Sequence, residues 1–164
     1  MTQVRIAGIA IDVRGQHVVL LKPMAGNPRT DRVLPIWIGE QEATSILIAI
    51  EGAQAPRPLS HDLMKTLLET VGATVERVEV TRLDEGTYFA ELSLRVDGRP
   101  VSIDCRPSDA IALASRTGAP LWVADEVMAA ASVDDDFTSE PDEEEKLEEF
   151  KKFLDEVDPE DFQG

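Results

Sequence analysis

"TYFAELSLRVDGRPVSIDCRPSDAIALASRTGAPLWV", residues 87–123, holds a hairpin, a helix and a further strand in one run. Asp97-Gly98 stands between two alternating apolar segments and is the strongest short-range signal for a two-residue hairpin turn. Such a turn sets Leu94 opposite Val101, Leu92 opposite Ile103 and Ala90 opposite Cys105. One face of the pair is then apolar throughout, which predicts that Val101, Ile103 and Cys105 pack inward. The other face pairs Ser93 with Ser102 and Glu91 with Asp104, with Arg106 beside Asp104. Pro107 holds Arg106 extended and permits a helix to begin. An alanine-rich helix is therefore expected over Asp109–Thr117, closed by Gly118 and Pro120, with a short strand in "PLWVA" after it.

The same grammar extends in both directions. "VRIAGIAIDV" and "HVVLLKP" read as strands joined across Arg14, Gly15 and Gln16, and "KPMAGNPRTDR" as a loop, since two prolines, a glycine and an asparagine interrupt any ladder. "VLPIWIG" is a third strand, and "EQEATSILIAIEG" a helix with Ala43, Ile46, Leu47 and Ile50 on one face. "PLSHDLMKTLLETVG" is a second helix, with Ser60 as its N-cap and Leu63, Met64, Leu67, Leu68 and Val71 as its apolar stripe. "TVERVEVTRL" is the strand before the hairpin. Because hairpins dominate and helices arrive singly, the expectation is an α+β domain built on a mostly antiparallel sheet. The halves also echo one another: "LPIWIGEQEATSILIAI" and "VSIDCRPSDAIALASRT" both run from strand through a polar junction into an acid-plus-alanine pair, Glu42-Ala43 and Asp109-Ala110. This suggests an internal duplication of a three-strand-plus-helix unit.

The chain has 164 residues and a net charge of -16, unevenly placed. Residues 1–130 carry 17 acidic and 13 basic side chains, net -4, and residues 131–164 carry 15 and 3, net -12. The body, 1–130, is thus nearly balanced and rich in arginine, so it can hold phosphate locally, while the tail, 131–164, should repel nucleic acid. Within the tail, Ser139 and Asp142 have capping-box spacing, and Leu147, Phe150, Leu154 and Val157 recur at helical intervals. The tail is either a loosely docked segment or a partner-binding helix. A single cysteine, no signal-peptide pattern and no apolar run long enough to span a bilayer point to a cytoplasmic protein without a disulfide or cysteine-based zinc cluster.

The polar residues around position 104 raise the chemical question. Two carboxylates directly opposed, Glu91 and Asp104, cost a few tenths to about 1 kcal/mol. Arg95 and Arg106 could neutralise them as a surface ladder, or a divalent cation could gather their oxygens. Ser108 is free to cap the following helix, and Asp109 suits its positive first turn. A phosphodiester could be received by Arg106, with Ser108 beside it and Asp104 or Asp109 as base or metal ligand. His61 stands between Ser60 and Asp62 near Arg57, either as part of a local cap or as a general base that meets the substrate together with Arg57. Cys105, on the apolar face, reads as core and not as a nucleophile. There is no Walker loop, nucleophile elbow, dinucleotide fingerprint or HExxH motif.

At these residues the chain resembles the bifunctional nuclease domain family. The resemblance rests on four motifs in order: "LPIWIGEQEA" (34–43), "RPLSHDLM" (57–64), "GTYFAEL" (86–92) and "IDCRPSDAIALASRTGAPLWVADEV" (103–127). It covers roughly residues 4–130. It implies an α+β fold and a nuclease acting on both RNA and DNA, of a family found in bacteria and plants. Members often carry a C-terminal interaction motif, whereas this chain ends in an acidic segment. Two functions follow as expectations. One is a metal-assisted phosphodiesterase using Asp104, Arg106 and Asp109, with Glu91 or Glu42. The other is a non-enzymatic regulator whose charged junction is a structural latch. The partners expected are RNA or DNA, a further copy of the chain in a homo-oligomer, and a protein for the C-terminal helix, with no membrane and no organic cofactor.

Overall fold

The computed structural model describes residues 1–28 and 31–135. A first meander, β1 (Thr2–Ile11), β2 (His17–Pro23) and β3 (Arg32–Ile38), leads into helix α1 (Glu40–Ile50). Helix α2 (Ser60–Thr70) then connects to a second meander, β4 (Ala73–Asp84), β5 (Thr87–Val96) and β6 (Arg99–Cys105), which leads into α3 (Pro107–Thr117). The short β7 (Leu121–Val123), α4 (Asp125–Ala131) and β8 (Val133–Asp134) complete the body. One sheet contains all eight strands in the order β6-β5-β4-β7-β1-β2-β3-β8. Every pairing is antiparallel except that of β4 with β7. The fold is α+β with a mostly antiparallel sheet, as the hairpin grammar predicts.

β7 lies between the meanders, parallel to β4 and antiparallel to β1. The two three-strand-plus-helix units therefore run in opposite directions on its two sides, related in topology by a half-turn through β7. Their helices α1 and α3 pack against each other. α3 is almost entirely buried: Ala110, Ala112 and Ala114 allow close approach to its neighbours, while Ile111 and Leu113 fill the core with Val19, Leu34, Ile46, Val78 and Val123. The Tyr88 hydroxyl, at the start of β5, donates to the Pro35 carbonyl of β3 at 3.2 Å. These strands are not sheet neighbours, so the sheet is strongly curled.

The Asp97-Gly98 turn has φ of +48° and +75°, the two positive values a type I′ turn requires. The register behind it is the expected one, from Leu94 opposite Val101 to Glu91 opposite Asp104. The inward packing of its apolar face is corrected. β6 is an edge strand and α3 covers β4 and β5, so Val101 and Ile103 stay 40% and 43% exposed and only Cys105 is half-buried. The apolar stripe expected on α2 is corrected too: Leu63, Met64, Leu67 and Val71 are exposed, and only Leu68 reaches the core. The buried residue of α2 is His61, because this helix rests on α3 largely through polar side chains.

Two helix starts differ from expectation. Leu59 is the N-cap of α2, its N–H donating to Asp62 Oδ2 at 2.8 Å, so Ser60 is already inside the helix. α3 begins at Pro107 with Arg106 as N-cap, which buries Ser108 in the first turn without a capping bond. The body reaches Asp135, past residue 130. Buried Lys22 pairs with buried Asp135, whose N–H donates to Asp31 O at 2.8 Å. The amphipathic helix expected around Leu147, Phe150, Leu154 and Val157 lies outside the described residues. No described helix is long and apolar enough to cross a membrane.

Candidate active site

Three helix N-termini meet at one cleft of about 580 Å³, lined by Glu42 and Ser45 of α1, His61 and Met64 of α2, and Arg106 and Asp109 at the start of α3. The first-turn N–H groups of a helix have no intrahelical partners, and the macrodipole adds partial positive charge there. Convergence of three such ends offers backbone donors to an anion, set against the carboxylates of Glu40, Glu42 and Asp109 that line the same cleft beside Arg106.

Glu42 and Asp109 occupy the same place in their units, the third residue of α1 and of α3. Both reach one guanidinium. Arg106 Nε donates to Asp109 Oδ2 at 2.9 Å, and Nη2 donates to Asp109 Oδ1 at 3.1 Å and Glu42 Oε1 at 3.0 Å. Nη1 donates to no described residue, so two N–H groups of a side chain that is 66% exposed are available to a ligand. Gly39 makes room for this arrangement. A Cβ there would sit 2.1 Å from Glu42 Oε2, so a side chain would push the carboxylate off the helix start and away from Arg106.

Behind Asp109 lies a buried relay. His61 Nε2 is 2.9 Å from Asp109 Oδ1, and its Nδ1 is 2.7 Å from Ser45 Oγ. Arg116, nearly buried in the last turn of α3, donates from Nη2 to Ser45 Oγ at 3.0 Å and to Ser45 O at 3.2 Å. Its Nη1 donates to Ala112 O at 2.9 Å and its Nε to Asp62 Oδ1 at 2.7 Å. Among the described residues every buried side-chain nitrogen and oxygen has a partner. Burial alone would raise the Asp109 carboxyl, but hydrogen bonds from Arg106 and His61 and the Arg106 charge outweigh it and hold it below the ordinary carboxylate range. Asp62 is likewise lowered: Arg116 and the Leu59 N–H overcome its desolvation.

The structure gathers four of the residues singled out from sequence, Glu42, His61, Arg106 and Asp109, in one cleft. His61 bridges α1 and α3 and caps nothing. Ser108 faces a second cleft of about 600 Å³ across the Arg106 ridge, lined also by His17, Trp37 and Tyr88. Arg57 is exposed and lines neither cleft, and the same holds for Glu91 and Asp104 on the outer strand pair. The ladder expected to neutralise those two carboxylates is not formed: Arg95 pairs with Glu76, and Arg106 leaves the strand for Glu42 and Asp109. Ser102 Oγ donates to Glu91 Oε2 at 3.2 Å. Among the described residues no group of three or more His, Cys, Asp or Glu side chains is placed to hold a metal ion. Cys105 is pushed up to about 11, first by burial and then by the charges of Asp104, Asp109 and Glu91, which suits the inert role expected of it.

Sequence reasoning missed Ser45, Asp62 and Arg116 as site residues. Spacing holds a signal for them: Asp109 and Arg116 lie two helical turns apart on one face of α3, and Glu42 and Ser45 one turn apart on α1.

Comparison with known proteins places these residues in context. The bifunctional nuclease domain matches residues 19–136. An uncharacterized protein of Mycobacterium tuberculosis is 38% identical over 170 aligned positions, spanning 100% of this chain and 99% of its own. Bifunctional nuclease 1 of Oryza sativa subsp. japonica is 31% identical over 115 positions, 68% of this chain and 34% of its own. Bifunctional nuclease 2 of Arabidopsis thaliana is 36% identical over 97 positions, 57% of this chain and 30% of its own. The chain thus matches about a third of each plant nuclease's length.

Proposed function

The chain belongs to the bifunctional nuclease domain family, and from that premise we propose that it hydrolyses phosphodiester bonds of RNA or DNA in the cleft where α1, α2 and α3 begin. The observation that carries this reading is the meeting of three helix N-termini with the open side of Arg106, a set of donors suited to a phosphate's non-bridging oxygens. The attacking water is held by Asp109, which takes its proton as the bond from phosphorus to the leaving oxygen breaks; the leaving oxygen takes a proton from solvent, and Asp109 later gives up its own. Arg106 fixes that carboxylate on one side and His61 on the other. As negative charge grows on the phosphoryl oxygens, Arg106 Nη1 and the first-turn N–H groups stabilise it without having to reorganise. A divalent cation at Glu91 and Asp104 would act outside the cleft, as an aid to binding the nucleic-acid backbone.

The test is a contaminant-free nuclease assay on single-stranded DNA, double-stranded DNA and RNA, with each divalent metal added in turn. Wild type, Asp109→Asn, His61→Gln, Arg106→Lys and Asp104→Asn are compared alongside their melting curves. Loss of about 100-fold or more in Asp109→Asn with an intact fold supports the assignment. Full activity in Asp109→Asn and Arg106→Lys removes the cleft from the reaction, and loss confined to Asp104→Asn moves the reaction to the strand pair.

A second reading has its own observation. The network from Glu42 to Asp62 satisfies itself internally and ties α1, α2 and α3 together. On this reading the charged junction is a latch in a non-enzymatic regulator, and the same variants lower the melting temperature without any cleavage to lose.

A further inference from the structure

We propose that Arg116, acting through Ser45, fixes the ring tautomer of His61, so that Nε2 carries the proton and Nδ1 is the acceptor. The argument is a count of protons. A guanidinium has only donors, so its Nη2 contact at 3.0 Å makes Ser45 Oγ an acceptor. Ser45 then has one hydroxyl proton to place, and the one other side-chain contact of its Oγ is His61 Nδ1 at 2.7 Å. The proton points there, and Nδ1 receives it with its lone pair. Nε2 must then hold the ring proton, which it donates to Asp109 Oδ1 at 2.9 Å. The reverse tautomer fails where it meets Asp109: the second lone pair of Ser45 Oγ can take an Nδ1–H, but the bare Nε2 would face a carboxylate oxygen, lone pair against lone pair.

The order of donation thus runs from Arg116 to Ser45 to His61 to Asp109, across α3, α1 and α2 and back to α3. Arg116 is nearly buried and four of its five N–H groups are engaged, by Asp62, Ser45 and backbone carbonyls, which holds the guanidinium in this orientation. Ser45 and Arg116 are positioning residues. They touch no substrate, but they help to decide that Asp109 receives an N–H donor on its His61 side. This inference takes the role of Asp109 from the proposed function, while the tautomer itself stands on geometry alone.

The experiment is nitrogen-15 NMR of the histidine rings in the full chain, at a pH well above the ordinary imidazole value of about 6.5. The chain has two histidines, and His17 serves as the internal reference. The expected spectrum shows His61 with a protonated, pyrrole-like Nε2 and a pyridine-like Nδ1 carrying the shift of an accepted hydrogen bond. Ser45→Ala should move the Nδ1 signal toward an unbonded nitrogen, and Ser45→Thr, which restores the hydroxyl, should return it. In the nuclease assay Ser45→Ala should lower kcat about tenfold or more with little change in KM, as misplacement of a catalytic group does. A pyrrole-like Nδ1 in wild type, or an Nδ1 signal that ignores Ser45→Ala, overturns the inference. Failure of the functional reading is distinguishable, since a chain that shows the expected tautomer and cleaves nothing keeps the relay and loses the nuclease.

Discussion

Arg106 and Arg116 stand at opposite ends of one helix and pair with carboxylates in the same network, yet their truncation should have opposite consequences. Arg106 is 66% exposed, and its partners Glu42 and Asp109 both line an open cleft. Water replaces the lost donors in Arg106→Ala, so the cost is that of a screened surface pair plus some repulsion between the two carboxylates left behind, about 1 kcal/mol. Arg116 is 6% exposed and makes four hydrogen bonds, to Asp62 Oδ1, Ala112 O, Ser45 O and Ser45 Oγ. Removing one member of a buried pair costs about 3 to 5 kcal/mol, and since Asp62 is 39% exposed and can be partly rehydrated, the lower end applies. For a chain of this size 1 kcal/mol corresponds to about 2 to 4 °C. Arg106→Ala should therefore melt within about 4 °C of wild type, and Arg116→Ala about 6 to 12 °C lower. Thermal unfolding followed by circular dichroism measures both. On the proposed function, cleavage should fall about 100-fold in Arg106→Ala, because the donors that reading offers to the phosphate are lost. A large drop in melting temperature for Arg106→Ala together with a silent Arg116→Ala would refute the reasoning, since exposure would then have failed to rank the two pairs.

Three further outcomes are expected. Cys105, pushed up to about 11, is a thiol at neutral pH, and at pH 7.5 iodoacetamide should alkylate it about two orders of magnitude more slowly than a free cysteine; labelling at the free rate would contradict its burial. Asp62 and Asp109 are both held below the ordinary carboxylate value near pH 4, so their stabilisation is complete above that value and is lost as pH falls below it. The Asp62→Asn, Asp109→Asn double variant should thus flatten the acid side of the stability profile, and an unchanged acid limb would count against these pairs. Residues 136–164 carry 13 acidic and 3 basic side chains, so a chain ending at Asp135 should bind a DNA or RNA oligonucleotide more tightly, most of all at low salt. Equal affinity at every salt concentration would reject electrostatic autoinhibition by the tail.

What sequence alone made legible follows the range of each physical signal. The hairpin register was readable because a two-residue turn leaves no freedom: once Asp97-Gly98 is the turn, Glu91 must face Asp104. Burial was not readable at the same place, because alternation says which face a residue is on and not whether anything covers that face. Val101 and Ile103 obey the pattern and remain exposed at a sheet edge. α2 misled for a related reason. Its leucines have helical spacing, but the contact that places the helix is polar and long-range, from His61 to Ser45 and Asp109. No local window contains those partners.

The location of the cleft follows from the repeat. In each unit a meander ends in a strand whose last residue turns into a helix, and the third residue of that helix is acidic, Glu42 in one and Asp109 in the other. The half-turn through β7 brings the two helix starts together, and with them two carboxylates that repel. This chain resolves it by breaking the symmetry. Here the N-cap position is Gly39 in the first unit and Arg106 in the second. The glycine lets Glu42 fold over its helix start, and the arginine supplies the one guanidinium that both carboxylates share. Gly39→Ala tests this directly. It should displace Glu42, free the Arg106 Nη2 contact, and change cleavage or ligand binding more than it changes the melting temperature.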